Sequence, residues 1–292
     1  MLLPFVTVWG GQTTGPVESK HKPRCSRYSR NRMLVMKAET MANLEIHQFI
    51  AGHDNYCVLL HEADTGVTVS IDAPDAGLIA RELESKGWKL THLLVTHHHG
   101  DHTVGITALK RDTGCEVIGP AAESHKIQGL DRTVREGDEV AAGRMTFAVL
   151  ETPGHTLGHI AYYDRGNALA FVGDTLFAMG CGRVLEGDYP MMWKSLEKLA
   201  ALPPETAVYC GHNYTAANAR FALTIEPGNI TLQQRARRAQ QGEAFVPMRL
   251  ADELATNPFL RADNATIRQA IGMTNCSAWK VFGEVRDRKN NS

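Results

Sequence analysis

The sequence predicts an α/β layered domain followed by a smaller, mostly helical domain. Two observations support this prediction. Short apolar runs alternate with helical patterns between residues 44 and 214, and strands interspersed with helices are typical of a layered α/β domain. From Ala216 onward the strand patterns give way to apolar residues at helical spacing.

The first domain begins with two strand patterns joined by a turn at residues 64–66. A helical pattern follows over residues 76–86, with Leu78, Ile79 and Leu83 on one side. The predicted strands are residues 56–62, 67–74, 93–95, 115–118, 145–150, 160–163, 168–172 and 206–209. We therefore assign residues 41–214 to the α/β domain.

Residues 215–292 form the predicted helical domain. Its helical patterns cover residues 216–225, 230–240, 248–255 and 264–271. Pro227 and Gly228 separate the first two helices, because neither residue favours a helix interior. The remaining segment, residues 1–40, has no sustained apolar period, so we expect a disordered tail.

The composition excludes several classes of protein. Of 292 residues, 43% are hydrophobic and 22% charged, which is ordinary globular usage and argues against wholesale disorder. The net charge is −1, so we expect neither a nucleic-acid-binding protein nor a membrane-surface protein. Six scattered cysteines without a CxxC pair indicate reduced thiols and a cytoplasmic protein, for which we expect a monomer. The basic, acid-poor residues 1–40 leave organelle targeting as an alternative.

The charge is unevenly distributed along the chain. Residues 41–214 hold 13 basic and 23 acidic residues, a net charge of −10. Residues 215–292 hold 11 basic and seven acidic residues, a net charge of +4. The acidic region is the one that carries the histidine motifs.

The strongest motif is the segment THHHGDH at residues 96–102, which follows a short apolar strand. Neutral imidazole and ionised carboxylate are ligands that zinc and similar first-row metals prefer. Alternate residues on a loop can face one centre, so His97 and His99 fit one metal ion, while Asp101 and His102 fit a second. A solvated polar loop is the alternative, and it explains such a dense cluster poorly.

Three further motifs follow apolar strands. His155 lies in TPGHTLGH at residues 152–159, where His159 is the weaker candidate because it begins the next strand. Asp174 ends the strand in FVGDTLF at residues 171–177, and either caps a turn or bridges two metal ions. His212 follows the strand before CGHNY at residues 210–214, where a lone histidine is more often structural.

The four motifs together resemble those of the metallo-β-lactamase superfamily over residues 44–214. The resemblance implies an αββα sandwich with a dinuclear metal site at one edge. By analogy, one metal ion binds His97, His99 and His155, and the other binds Asp101, His102 and His212. Asp174 bridges them, and Asp174, Asp101 and His102 are the predicted catalytic residues.

Further motifs resemble glyoxalase II, the hydroxyacylglutathione hydrolase family, from about residue 44 to the C-terminus. They are GCGR at 180–183, EG at 186–187, CGHNYT at 210–215, EPGN at 226–229, NPFLR at 257–261 and VRDRK at 285–289. The resemblance implies that Arg183, Tyr214, Arg286 and Lys289 bind glutathione. Some relatives have an aromatic residue where this chain has Leu185, which offers no hydroxyl to glutathione.

The implied reaction is hydrolysis of S-D-lactoylglutathione to D-lactate and glutathione, the second step of methylglyoxal detoxification. Two divalent metal ions, zinc first and iron or manganese as alternatives, lower the pKa of a bridging water and supply hydroxide. Cys181 and Cys210 lie near these motifs in the sequence, but we expect them to be packing residues rather than nucleophiles, because the metal site already supplies a nucleophile. The alternative function is a mononuclear-iron persulfide dioxygenase of the same fold, which generally lacks the helical extension.

Overall fold

The computed structural model describes residues 43–292. The tail predicted for residues 1–40 lies outside the described residues. Within residues 43–292, no helix is both long enough and apolar enough to cross a membrane.

The first sheet has six strands in chain order. Strands β1 to β3 are antiparallel, and β3 to β6 are parallel to one another. Their bounds are β1 (Leu44–Ala51), β2 (Asn55–Glu62), β3 (Val67–Ile71), β4 (His92–Leu94), β5 (Glu116–Pro120) and β6 (Arg132–Val134).

The remaining strands form a second six-stranded sheet and a short hairpin. Their bounds are β7 (Glu139–Ala142), β8 (Met145–Glu151), β9 (Ile160–Asp164), β10 (Leu169–Phe171), β11 (Leu176–Phe177), β12 (Gly180–Cys181), β13 (Ala207–Tyr209) and β14 (Met248–Arg249). The second sheet has the order β14-β13-β10-β9-β8-β7, and β11 pairs with β12 in the hairpin.

The helices lie between the strands of the α/β domain and make up most of the region after β13. Their bounds are α1 (Ala76–Lys86), α2 (Gly100–Thr103), α3 (Ile106–Thr113), α4 (Tyr189–Ala200), α5 (Thr215–Ile225), α6 (Ile230–Gln240), α7 (Leu250–Thr256), α8 (Ala265–Ala270) and α9 (Ala278–Asn290). A 3₁₀ turn, Ala121–Glu123, follows β5.

Alternation along the strands builds the layers of the fold. In β2, Val58 and Leu60 belong to the apolar cluster that also contains Phe147 and Val149 of the second sheet. Leu59, between them, belongs to the separate cluster that packs against α1 and α3. Because neighbouring strand residues point to opposite faces, this pattern gives the αββα sandwich that the resemblance implies.

The predicted helix over residues 76–86 has the predicted bounds. The Asp75 carboxylate accepts a hydrogen bond from the Leu78 amide at 2.9 Å and caps its start. The helix ends at Gly87, which adopts the left-handed conformation with φ 68°.

The helix predicted over residues 248–255 is wrong at its start. Met248 and Arg249 form strand β14, and the helix begins at Leu250. Val208 and Ala207 of β13 pair with these two residues, so hydrogen bonding to a sheet edge overrides the helical pattern there. Strands β1, β6 and β7 and helices α3 and α4 are among the elements that were not predicted, although Asp188 caps α4 and a proline lies in its first turn.

Candidate metal centre and substrate pocket

The loops that carry the histidine motifs meet at one edge of the sandwich. The loop after β4 carries His97 and His99 and leads into α2, which carries Asp101 and His102. Loops after β8, β10 and β13 bring residues from the second sheet to the same place. His97, His102, His155, Asp174 and His212 are all buried there.

His97, His99 and His155 form one triad. The Nδ1 atom of His99 lies 3.1 Å from the Nε2 atom of His97 and 3.1 Å from the Nε2 atom of His155. Ring nitrogens that face each other so closely need a proton or a cation between them. Burial, together with the neighbouring imidazoles, lowers the pKa of His97 well below its usual value, which keeps the ring neutral and able to bind a metal ion.

Asp101, His102 and His212 form the second triad. The Oδ2 atom of Asp101 lies 3.3 Å from the Nε2 atom of His212, which is itself 3.3 Å from the Nε2 atom of His102. Burial opposes a charge on His212, but hydrogen bonds to Asp101 and Asp174 raise its pKa to about 11. A metal ion bound at this triad therefore replaces a proton on His212.

Asp174 lies between the two triads. Its Oδ2 atom is 3.4 Å from the Nε2 atoms of both His155 and His212, and its Oδ1 atom is 3.5 Å from Nε2 of His102. Burial acts to raise the pKa of Asp174, but the surrounding imidazoles, first His102, hold it below its usual range. The carboxylate is therefore ionised and faces both groups of ligand atoms.

Hydrogen bonds on the far side of the imidazoles fix their orientation. The Nδ1 atom of His102 lies 2.8 Å from Oδ2 of Asp72, and Nδ1 of His212 lies 2.9 Å from Oδ1 of Asp54. The Nδ1 atom of His155 lies 2.8 Å from the carbonyl oxygen of Arg183. Such partners set the tautomer, so the Nε2 atoms of all three rings face the centre.

These residues fit metal ions. The ligand atoms of each triad lie within 4.8 Å of one another, and the donor set of imidazole nitrogens and carboxylate oxygens suits first-row metals. Asp174 Oδ1 is a buried carboxylate oxygen without a hydrogen-bond partner among the described residues. An orphaned buried carboxylate oxygen is costly unless a cation neutralises it.

His159, the weaker candidate ligand, has a structural position instead. Its Nδ1 atom lies 2.9 Å from the hydroxyl of Thr152, and its Nε2 atom accepts a hydrogen bond from the Asp174 amide at 3.1 Å. It therefore supports the backbone of Asp174. Gly173, just before Asp174, has φ 46°, and a Cβ there would lie 2.7 Å from Nε2 of His159.

A pocket of about 520 Å³ opens beside the triads. The four residues predicted to bind glutathione all line it, and so do two residues of the metal centre. These lining residues are Arg183, Tyr214, Arg286, Lys289, His155 and Asp174. The pocket is therefore continuous with the cluster of ligand atoms.

The basic wall of the pocket comes from α9. Arg286 is buried, and its Nη1 atom donates a hydrogen bond to the Cys181 carbonyl at 3.0 Å, while its guanidinium lies 5.0 Å from the Phe259 ring centre. The Nζ atom of Lys289 lies 5.3 Å from the Phe221 ring centre. Burial, and then the charge of Arg286, lowers the pKa of Lys289. Positive charges grouped in this way favour an anionic ligand.

The aromatic side of the pocket joins it to the second triad. The ring of Tyr214 stacks on the ring of His212, with 4.9 Å between centres and 3° between planes. Arg183, which also lines the pocket, is exposed, and so is Leu185 two residues later, with 57% of its surface accessible. Tyr214, two residues after the candidate ligand His212, thus connects the pocket to the second triad.

Side chains of the helical region hold the β11–β12 hairpin, which contributes Phe177 and Cys181 to the pocket lining. The buried Glu253 carboxylate accepts a hydrogen bond from the Met179 amide at 2.8 Å and pairs with Arg235 at 2.5 Å. Asn257 Nδ2 donates to the carbonyl oxygens of Phe177 and Gly180 at 3.1 and 2.9 Å. Met179 has a φ of 53°, a backbone conformation that residues other than glycine rarely adopt, so the hydrogen bond that Glu253 accepts helps to stabilise this turn.

The two cysteines near the site are buried packing residues. Burial raises the pKa of Cys181 to about 11, and burial likewise raises the pKa of Cys210. Both thiols are therefore protonated near neutral pH, which is the unreactive form.

Sequence reasoning missed three acidic residues at this site. Asp54 and Asp72 orient ligand histidines, and Glu123 contacts both histidine loops. Each is a single acidic residue without a motif of its own. The only signal was position: Asp72 directly follows a strand that ends at the same edge as the ligand loops.

Two family models match consecutive segments that together span residues 49–292. The model of the metallo-beta-lactamase superfamily matches residues 49–212, and the model of the hydroxyacylglutathione hydrolase C-terminus matches residues 213–292. Among solved structures, the chain is similar to ETHE1 from Myxococcus xanthus, with 26% identity and a TM-score of 0.54 over 78% of this chain and 99% of that one. It is also similar to a metallo-beta-lactamase from Staphylococcus aureus, with 20% identity and a TM-score of 0.58 over 84% of this chain and 71% of that one.

Curated relatives have higher sequence identity to this chain than these structures do, and the similarity extends over nearly the full length of each relative. The hydroxyacylglutathione hydrolase of Methylococcus capsulatus is 48% identical over 85% of this chain and 98% of the relative. A hydroxyacylglutathione hydrolase of Rhodopseudomonas palustris is 52% identical over 82% of this chain and 95% of the relative. Because both family models match adjoining segments and the relatives are about half identical over most of the chain, the chain belongs to the hydroxyacylglutathione hydrolase (glyoxalase II) family of the metallo-β-lactamase superfamily.

Proposed function

We propose that this protein hydrolyses S-D-lactoylglutathione and related 2-hydroxyacylglutathiones to the hydroxy acid and glutathione. The proposal carries over to this chain the activity that names its relatives. One observation supports it most directly: Asp174 and His155 belong to the metal centre and also line the basic pocket. A thioester whose glutathione part occupies the pocket therefore has its acyl group beside the metal centre.

The pocket has the chemistry that glutathione requires. Glutathione carries two carboxylates, and Lys289 and Arg183, which both line the pocket, supply positive charge. A hydrogen bond between charged partners contributes about 1.5–3 kcal/mol, which makes these contacts the main source of recognition. Arg286 adds positive charge from the buried wall while it holds the Cys181 carbonyl.

We assign two divalent metal ions to the two triads. His97, His99 and His155 would hold one, Asp101, His102 and His212 would hold the other, and Asp174, whose carboxylate faces both triads, would complete the donor set. When bound, such ions supply an activated water and polarise the thioester carbonyl. We propose zinc, and the same donor set accepts iron or manganese, so the supply of metal decides among them.

The protein side chains then handle the proton and the geometry. Asp174 Oδ1, which has no hydrogen-bond partner among the described residues, accepts and orients the proton of the attacking water. Asp101 and His102 are the other two proposed catalytic residues, and their role is to hold the metal ion of the second triad. A thiol has a pKa of about 8.5, so the glutathione thiolate leaves without a strong general acid.

The proposal predicts release of one thiol for each thioester consumed. Metal-loaded protein is mixed with S-D-lactoylglutathione, and free glutathione is followed with a thiol reagent, with Asp174→Asn as the inactive control. A second reaction with glutathione persulfide monitors oxygen uptake. Thiol release that needs Asp174 supports the proposal, whereas oxygen uptake without thioester hydrolysis identifies a persulfide dioxygenase instead.

A further inference from the structure

The three-histidine triad is assembled from two loops that belong to different sheets. His97 and His99 lie in the loop after β4 of the first sheet, and His155 lies in the loop after β8 of the second. Their nitrogens nevertheless converge to 3.1 Å. A metal ion tolerates only small changes in ligand position, so the distance between the two loops must be fixed.

Glu123 contacts both loops at once. Its Oε2 atom accepts a hydrogen bond from the amide of His98 at 2.8 Å, and its Oε1 atom accepts one from the amide of Gly158 at 2.9 Å. His98 lies between the two ligands of the first loop, and Gly158 lies three residues after His155. Glu123 is only 2% exposed, so water does not compete for either contact.

The packing around this carboxylate is close. A Cβ at position 158 would lie 2.5 Å from Cγ of Glu123 and 2.8 Å from Cβ of Ala122, which only glycine avoids. The 3₁₀ turn Ala121–Glu123 therefore packs directly against the second loop, and the Glu123 carboxylate binds backbone amides of both loops. This arrangement leaves little freedom in the separation of the loops.

The second triad has different supports. His102 and His212 are oriented by Asp72 and Asp54, and Glu123 makes no hydrogen bond to either histidine. Loss of the Glu123 carboxylate should therefore affect one triad and spare the other.

We propose that Glu123 is a positioning residue that holds the two loops of the three-histidine triad at metal-binding distance. The inference rests on the proposed two-metal site. It assigns Glu123 no contact with substrate. Glu123 changes the affinity of the three-histidine triad for its metal ion, and it influences catalysis only through that ion.

The test starts from zinc-loaded protein. Wild type and Glu123→Gln are equilibrated with rising concentrations of a chelator, and the zinc that stays with the protein is counted. Glutamine keeps the size of the side chain but offers one acceptor for two amides. We expect one of the two ions to dissociate at about 10- to 100-fold lower chelator activity, as for loss of a residue that orients ligands, while the other ion stays as in wild type.

Glu62→Gln is the matched control. Glu62 is also buried and accepts a hydrogen bond from the Arg144 amide at 2.9 Å, but this contact lies between strands away from the ligand loops. Glu62→Gln is expected to lower stability and leave the retention of both ions unchanged. Equal weakening of both ions by Glu123→Gln, no weakening, or the same zinc loss from Glu62→Gln would overturn the proposal.

Two further variants identify the ion and keep the test independent of one substitution. Asp54→Asn weakens the other triad, so the double variant with Glu123→Gln should hold neither ion tightly; one tightly held ion would contradict the assignment. Gly158→Ala disturbs the same contact from the opposite loop and should reproduce the loss seen in Glu123→Gln. Wild type that binds no zinc refutes the proposed metal site itself, whereas wild type with two ions and an unaffected Glu123→Gln refutes only this inference.

Discussion

The metal centre and the substrate pocket share a wall, yet they are built in different ways. Most residues of the centre are buried. They lie in loops that follow strands or, for Asp101 and His102, in the short helix α2, and their orienting hydrogen bonds are made inside the α/β domain. The pocket is open, and its basic residues come mainly from α9, more than 100 positions away from most of the ligands. The acidic residues dominate the first region and the basic residues the second.

The difference indicates a division of tasks. Interactions with the reacting atoms belong to the centre, and interactions with the remote parts of the substrate belong to the pocket. Losses in the centre should lower kcat, because they remove stabilisation of the transition state. Losses in the pocket should raise KM, because they remove binding that is equal in ground state and transition state.

The largest effect is expected for Asp174→Asn. The neutral amide cannot balance two cations, so we expect loss of bound metal and at least about a 10³-fold loss of kcat, equivalent to several kcal/mol of charge stabilisation. Metal analysis and steady-state kinetics on the same sample measure both. Asp263→Asn, at an exposed position of the helical region, should match wild type. Full activity in metal-depleted Asp174→Asn would place the chemistry elsewhere.

Glu253→Ala tests the connection between the two regions. The variant leaves Arg235 buried without its partner and releases the Met179 amide, so the free energy of unfolding should fall by about 3–5 kcal/mol. Urea denaturation followed by fluorescence measures the change. Glu284→Ala removes a surface pair with Arg288 in α9 and should cost no more than about 0.5 kcal/mol. Equal losses would mean that the buried pair does not hold the hairpin.

Lys289→Ala should change recognition and leave the chemistry alone. Loss of a charge-assisted contact of about 1.5–3 kcal/mol raises KM by roughly 10- to 100-fold, with kcat and metal content unchanged. Arg288→Ala is a close control, since Arg288 is the preceding residue of α9 but pairs with Glu284 rather than lining the pocket. A fall in kcat for Lys289→Ala, with KM unchanged, would remove the proposed division.

The smallest effect is expected for Leu185→Tyr. Leu185 is an exposed apolar residue two positions after Arg183, which lines the pocket, and we expect a phenol there to add one hydrogen-bond donor toward glutathione. A neutral hydrogen bond contributes about 0.5–1.5 kcal/mol, so KM should fall by up to about tenfold. Leu185→Phe supplies the ring without the hydroxyl and should bind as weakly as wild type. The same gain from Phe would assign the effect to apolar contact.

The metal centre and the pocket also differ in how far the sequence could predict them. The ligand residues were predictable because each lies just after an apolar strand, and parallel strands bring their ends to one edge. The sequence could not reveal Glu123, since its two partners are backbone amides that become neighbours only when the sheets stack.

The pocket was predictable only through family resemblance. Arg286 and Lys289 look like ordinary basic residues of a final helix, and their role depends on Phe259, Phe221 and the Cys181 carbonyl. These contacts join parts of the chain that share no periodic pattern. The strand β14 was missed for a related reason, because its pairing partner β13 lies about 40 residues earlier.

The division of tasks is tested most directly by kinetics on two substrates. Wild type and Lys289→Ala are compared on S-D-lactoylglutathione and on a lactoyl thioester of N-acetylcysteamine, which lacks both glutathione carboxylates. We expect Lys289→Ala to lose kcat/KM on the glutathione thioester and to keep the wild-type kcat/KM on the truncated one. An equal loss on both substrates would contradict the division of tasks, because it would mean that the basic wall acts on the reacting atoms.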